Sequence, residues 1–162
     1  MNPDFRLFTN QITNPVRFRF FMLQRLPAAL FAGLRIKAFD EQHAVVTVKY
    51  KWFNQNPFRS MYFAIQSMAA EMSTGLLASG QVYQRKPAVS MLVVGLEAKF
   101  LKKAVDTITF TCNDGQAINQ AIESCIDRVE SATVRAQSTG RNEAGEIVSE
   151  FWITWSFKSK TP

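Results

Sequence analysis

Glu71 is the only acidic residue in the stretch from Asn56 to Gly75, which otherwise reads as the start of a long, largely apolar helix. A carboxylate on a helix destined for burial must be paired, hydrogen-bonded or chemically useful, because an unpaired buried charge is costly. Ala64, Ser67, Thr74 and Ala78 fall near Glu71 at helical spacing. Such small neighbours leave room beside the carboxylate for a ligand or for the backbone of another subunit. The alternative is an ion pair across an interface, with no chemistry attached.

Other reaction types lack their residues. His43 is the single histidine and stands beside a polar turn, so a Ser-His-Asp triad would have to be built on it. One His and two distant Cys make no convincing zinc site. Cys112 and Cys125 are not a CxxC pair and read as buried free thiols of a reducing compartment. There is no Gly-rich phosphate loop and no recognised nucleic-acid motif.

The positioning elements must come from one domain, expected to span residues 1–162. A hydrophobic content of 47% with fourteen Phe argues for an ordered core. No uninterrupted apolar run is long enough to span a bilayer, and no secretory leader is evident. The expected location is cytoplasmic. The formal net charge of +6 suits an anionic partner, whether phosphorylated cofactor, nucleic acid or membrane surface, without choosing among them. A solvated basic surface with no such partner fits the charge equally.

Asn14-Pro15 reads as a helix cap followed by proline in the first turn, opening a short helix at about 14–26. This segment mixes Phe18, Phe20, Phe21, Met22 and Leu23 with Arg17, Arg19 and Arg25. One reading is a membrane-surface helix. The other is a helix packed over the mouth of the main domain with its arginines snorkelling. The apolar residues form no single clean stripe, which favours the packed helix.

Leu34 to Phe39 and His43 to Trp52 read as a hairpin, the second strand alternating at period two. The long helix is expected from about Arg59 to Ser79, closed by Gly80. Met61, Ile65, Met68, Met72 and Leu76 form its core stripe, where methionines could also line an adaptable pocket. Val89 to Phe100 is a strand with Leu92, Val94, Leu96, Ala98 and Phe100 on one side. Thr107 to Cys112 is another strand, and Gln116 to Ile126 a second helix. Ser131 to Ser138 and Ile147 to Lys158 make a last hairpin, with Phe151, Ile153, Trp155 and Phe157 on one face. A helix apolar around most of its circumference has to be enclosed. A curved antiparallel sheet of about six strands wrapped around it is the economical α+β solution, the hotdog fold.

With that arrangement the chain resembles the hotdog-fold acyl-CoA thioesterases of the phenylacetate-pathway type, and most closely a bacterial branch of unknown function. The resemblance covers roughly residues 28–158 and rests on spacing more than identity. Those enzymes place an Asn before the central helix, a His-Gly-Gly at its start and an acid two turns further on. Counted from Asn56, these positions fall on Tyr62 for the histidine, Phe63 for the first glycine and Glu71 for the acid. Lys99 to Thr107 and the turn Asn142 to Val148 are similar to two further family segments.

The resemblance implies a thioester hydrolase, with no cofactor beyond coenzyme A as part of the substrate. Phe63 would polarise the thioester carbonyl through its backbone N–H, aided by the helix dipole. Glu71, from the facing subunit, would be nucleophile or base. Asn56 would orient water or the carbonyl. Two positions depart from the pattern: Phe63 replaces a glycine that lets the backbone approach closely, and Tyr62 replaces the histidine. Turn chemistry for Asn56 and simple packing for Tyr62 stay open. Arg85, Lys86, Lys102 and Lys103 are the basic residues expected to meet the CoA phosphates, or else serve solubility. The expected partners are an acyl-CoA or acyl-carrier thioester and a second copy in a homodimer, or a tetramer built from it. Nucleic acid and membrane are not expected. The alternative is a non-catalytic protein that binds an acyl group or acyl-CoA in the same fold.

Overall fold

A computed structural model describes residues 2–160; Met1, Thr161 and Pro162, part of the expected domain, lie outside the described residues. Three helices open the chain: α1 (Phe5–Ile12), α2 (Pro15–Arg25) and α3 (Pro27–Ala32). The strands β1 (Arg35–Phe39) and β2 (Ala44–Lys49) precede the long helix α4 (Phe63–Val82). Then come β3 (Val89–Phe100), β4 (Thr107–Cys112), α5 (Gly115–Arg128), β5 (Ala132–Arg141) and β6 (Ile147–Ser159). The strands form one antiparallel sheet in the order β1-β2-β4-β5-β6-β3, curved around α4. This is the hotdog fold.

Much of the core lies where the sequence patterns put it, although Ile65 and Met68 of the expected α4 stripe are only half-buried and Met61 precedes the helix. Phe151, Ile153, Trp155 and Phe157 of β6 are all buried, as are Val46 and Val48 of β2 and Ile108 and Phe110 of β4. On α5, Ile118, Ile122 and Cys125 are buried at helical spacing. Both cysteines are buried and unlinked, and burial pushes the Cys112 thiol up to about 12. His43 is exposed beside Asp40.

The long helix differs from its expected bounds at both ends, for local reasons. It starts at Phe63 rather than Arg59. The Asn56 carboxamide oxygen accepts from the N–H groups of Phe58 and Ser60, which bends 56–60 into a turn. Arg59 takes a left-handed φ of 59° there. The chain then runs extended, with Met61 N–H donating to the Ala104 carbonyl and Tyr62 N–H to that of Asn54.

At the other end α4 passes through Gly80 and stops at Val82. Gly80 serves contact rather than termination. A Cβ there would stand 2.4 Å from Cε2 of Phe5, so its absence lets α1 lie against α4. The Asn2 carboxamide donates to the carbonyls of Gly80 and Tyr83, filling acceptors that a helix end leaves open. Gly80→Ala is therefore expected to cost about 1–3 kcal/mol by overpacking. A lower urea midpoint with an unchanged slope would show it; an unchanged midpoint would mean α1 is not held by this contact.

The expected single face of β3 is also corrected. Met91 and Val93 pair with Phe157 and Trp155, but a bulge between Val93 and Gly95 shifts the register. Beyond it Leu96 and Ala98 pair with Ile153 and Phe151, while Leu92 lies opposite Ser156. Directly opposed residues share a face of the sheet. Leu92 and Leu96 therefore point to opposite faces, because one extra residue reverses the alternation. β3 ends the sheet, and among the described residues only one of its edges is paired.

Candidate functional site

Glu71 lies on the wall of a pocket of about 630 Å³. Met72, Gly75 and Leu76 of α4 form its floor, and Trp155 of β6 and Met91 of β3 one side. Phe8 and Ile12 of α1 with Phe18 and Phe21 of α2 form the cover. The lining is mostly apolar, with Arg17 on the α2 side. Phe18 is buried, so α2 is anchored against the domain while its outer residues Val16, Phe20 and Leu23 face outward. The packed position expected for this helix is the one observed. The sequence reading did not include α1, although Phe5, Phe8 and Ile12 sit at helical spacing.

The Glu71 carboxylate has no hydrogen-bond or ion-pair partner among the described residues. Burial, which disfavours the charged form, raises its pKa above the ordinary 4.5. Hydrogen bonds order the wall beside it rather than the carboxylate itself. Trp155 Nε1–H donates to Thr74 Oγ1 at 2.9 Å, and the Thr74 hydroxyl donates to the Glu71 carbonyl at 3.0 Å. Gly75 leaves space directly beside the acid: a Cβ there would be 3.1 Å from Glu71 Oε1 and 3.2 Å from Trp155 Cζ2. An unpaired acid of raised pKa against an apolar cavity is the setting in which carboxylates serve as bases or nucleophiles.

The start of α4 offers the second chemical feature. Tyr62 is the N-cap but supplies no side-chain hydrogen bond, and the N–H groups of Phe63 and Ala64 have no acceptor among the described residues. Free N–H groups at the positive end of a 20-residue helix suit a developing negative charge. The Phe63 ring is 53% exposed and packs edge-on against Tyr62 and Phe100. It stands aside from the pocket around Glu71 rather than in its mouth. Along the helix, Phe63 and Glu71 are about 12 Å apart at 1.5 Å per residue. Within one chain they do not meet at a single carbonyl.

The remaining predicted site residues are dispersed. Asn56 is occupied by its own turn, its side chain bonded to Phe58 and to Ser60. Arg85 is paired with Glu123 and also donates to the Gln81 carbonyl. Lys102 is paired with Glu146, and Lys103 donates to the Phe58 carbonyl near the start of α4. Lys86 borders a separate cleft with Asn2 and Asp4. Arg85 and Lys86 follow the far end of α4, about 30 Å from Lys102 and Lys103 by the length of the helix. These four cations are two pairs, not one cluster.

Fold and site together describe a hotdog protein with an unpaired acid on the wall of an apolar pocket. The chain belongs to the family described as domain of unknown function DUF4442, whose model matches residues 15–157. Among solved structures it is similar to a Pseudomonas aeruginosa protein of unknown function called a probable thioesterase. That match has 19% identity and a TM-score of 0.76, covering 90% of this chain and 97% of that one. A Chlorobaculum tepidum protein of unknown function is 16% identical, with a TM-score of 0.75 and coverage of 90% and 94%. A Haemophilus influenzae thioesterase is 14% identical, with a TM-score of 0.60 and coverage of 85% and 87%. At these identities the likeness is one of fold. No curated protein matches the chain. Among the described residues, no helix is long and apolar enough to cross a membrane.

Proposed function

We propose that this protein hydrolyses a thioester of a fatty or other apolar acyl group carried on coenzyme A or an acyl carrier. The observation that carries the reading is the unpaired Glu71 carboxylate on the wall of an apolar pocket. The acyl chain would lie along Leu76, Met91 and Trp155 beneath α1 and α2. The carboxylate of Glu71 would activate water, or attack the carbonyl carbon and expel the thiolate to leave an acyl anhydride that water then hydrolyses, and the carbonyl oxygen would take its negative charge to the free N–H of Phe63. If water is the nucleophile, its proton passes to Glu71 and then to the leaving thiolate. Names of similar folds as thioesterases support the reaction class.

The separation of Glu71 from Phe63 asks for a second copy. The site would then join Glu71 of one subunit to the helix start of the other. The free edge of β3 supports this. Leu92, Leu96 and Phe100 are 66%, 51% and 48% exposed on this edge strand, and unpaired apolar edges are normally covered. Light scattering should give a homodimer, twice 18.4 kDa. A folded monomer at working concentration would remove the shared site.

Lys102 and Lys103, beside the start of α4, are the predicted basic residues best placed to meet the carrier. Asn56 would act by holding the turn that presents Phe63, and Tyr62 by steadying its ring. A non-catalytic acyl-binding role is favoured by one feature: the aromatic Phe63 beside Tyr62, where thioesterases of this type keep glycine and histidine. A panel of short, long and aromatic acyl-CoA substrates, followed by thiol release, decides between them. Turnover of an apolar acyl-CoA is expected; binding of the chain without thiol release would establish the alternative.

A further inference from the structure

A second cleft, of about 450 Å³, lies between α2, α3 and the edge strand β1. Its charged lining residues are Arg19, Arg35, Lys37 and Lys51; among the described residues no carboxylate lines it. Arg19 comes from α2, Arg35 and Lys37 from β1 with Lys37 at the bulge between Ile36 and Ala38, and Lys51 from the chain after β2. Sequence distance therefore does not explain their meeting. Charge segregation in the chain does contribute: from Phe5 to Phe39 there are six Lys or Arg and no Asp or Glu.

These cations differ from those first expected to meet phosphate. Arg85 and Lys102 are paired with carboxylates. The side chains of Arg19, Arg35 and Lys37 have no hydrogen bond or ion pair among the described residues. Lys51 is positioned: its Nζ donates to the Phe31 carbonyl at 2.9 Å and lies 5.7 Å from the Phe53 ring centre. Gly33, at φ 88°, makes room for it, since a Cβ there would come 2.8 Å from that Nζ. Like charges gathered around one concavity repel each other and concentrate anions. Phe31 and Phe53 expose their rings beside Lys51, with centroids 6.4 Å apart, and offer an apolar surface next to the charge.

We propose that this cleft binds a phosphate ester carrying at least two negative charges. Arg19 and Arg35 supply planar forks suited to phosphate oxygens, and Lys37 and Lys51 supply point charges. The Phe31–Phe53 surface takes the organic group attached to the phosphate. The cleft adjoins the pocket that holds Glu71, for Ile12 and Phe18 line both. The phosphate could belong to the nucleotide end of a CoA carrier or to a phospholipid headgroup. The proposal requires no hydrolysis, so it stands or falls apart from the thioesterase reading.

The test is binding by the whole protein, with two probes. Adenosine 3′,5′-bisphosphate is titrated by calorimetry, and phosphatidic acid vesicles, whose headgroup is a phosphate monoester, are compared with phosphatidylcholine vesicles by sedimentation. Arg35→Gln/Lys37→Gln is compared with Lys158→Gln/Lys160→Gln, and Arg19→Gln on another element with Lys158→Gln alone, each control removing equal charge elsewhere. All the replaced side chains are exposed. At least a tenfold loss in the cleft variants, against less than twofold in the controls, is expected for one probe. Loss with the nucleotide assigns the site to a CoA-type carrier, and loss with the anionic vesicles alone assigns it to lipid. Absence of binding to both probes in the unaltered protein overturns the proposal. So does an equal effect in the cleft and control variants.

Discussion

Glu71→Gln should reduce thioester hydrolysis by about a thousandfold, roughly 4 kcal/mol of transition-state stabilisation, while the protein stays folded. The amide keeps the shape of the side chain and removes both base and nucleophile. Acyl-chain binding should survive, because Met72, Leu76, Met91 and Trp155 are untouched. The same change should alter stability in the opposite sense. Burial raises the Glu71 pKa above 4.5. Below that value folded and unfolded chains both hold the proton, and no penalty arises. As pH rises, the unfolded chain ionises first, so stability falls until the raised folded value is passed. Above it the full penalty remains. Glu71→Gln should therefore stabilise the protein near neutral pH by about 1 kcal/mol, with the gain vanishing below the ordinary carboxylate range. Activity should show the matching profile and rise with pH through a midpoint above 4.5. Full turnover in Glu71→Gln would eliminate the carboxylate mechanism.

Gly75→Leu should close the pocket from inside. A side chain at this position enters between Glu71 and Trp155, which leave just over 3 Å even for a Cβ. Turnover of a long acyl-CoA should fall about 100-fold, roughly 2.7 kcal/mol, chiefly through lost chain binding. A short acyl group should lose much less. Gly75→Ala should cost far less than Gly75→Leu, since its methyl asks only a few tenths of an ångström of the Glu71 carboxylate and the Trp155 ring. Equal losses for long and short substrates in Gly75→Leu would place the acyl chain elsewhere.

The class of fold was legible because its signals are local and periodic. The alternation in β2, β4 and β6 marks half-buried strands, and the apolar circumference of α4 demands an enclosing sheet. The misreadings came where a distant contact sets the local structure. Gly80 looks like a terminator, yet Phe5, far away in sequence, makes it a packing position. The long helix was expected from about Arg59, yet the Asn56 carboxamide holds a turn that delays it to Phe63. The bulge in β3 leaves no mark in the alternation before it, so Leu92 and Leu96 looked alike.

The site was half legible. Glu71 stood out because a lone acid on an apolar helix conflicts with burial. Trp155 looked like ordinary core, and it is buried, but its ring also walls the pocket. Arg17, Phe18 and Phe21 belonged to a helix whose place over the domain was expected, without its opposite wall being known. The cations could not be placed from sequence. Arg85 meets Glu123 and Lys102 meets Glu146 only in the folded chain, whereas Arg19 and Lys37 meet no acid among the described residues.

The most direct measurement is a crystal structure with a non-hydrolysable thioether analogue of a long-chain acyl-CoA. The account requires the acyl chain to lie between Leu76 and Trp155. The carbon that replaces the carbonyl should stand about 3–3.5 Å from a Glu71 carboxylate oxygen, or one water away. An analogue bound elsewhere, with Glu71 left facing an empty pocket, would contradict it.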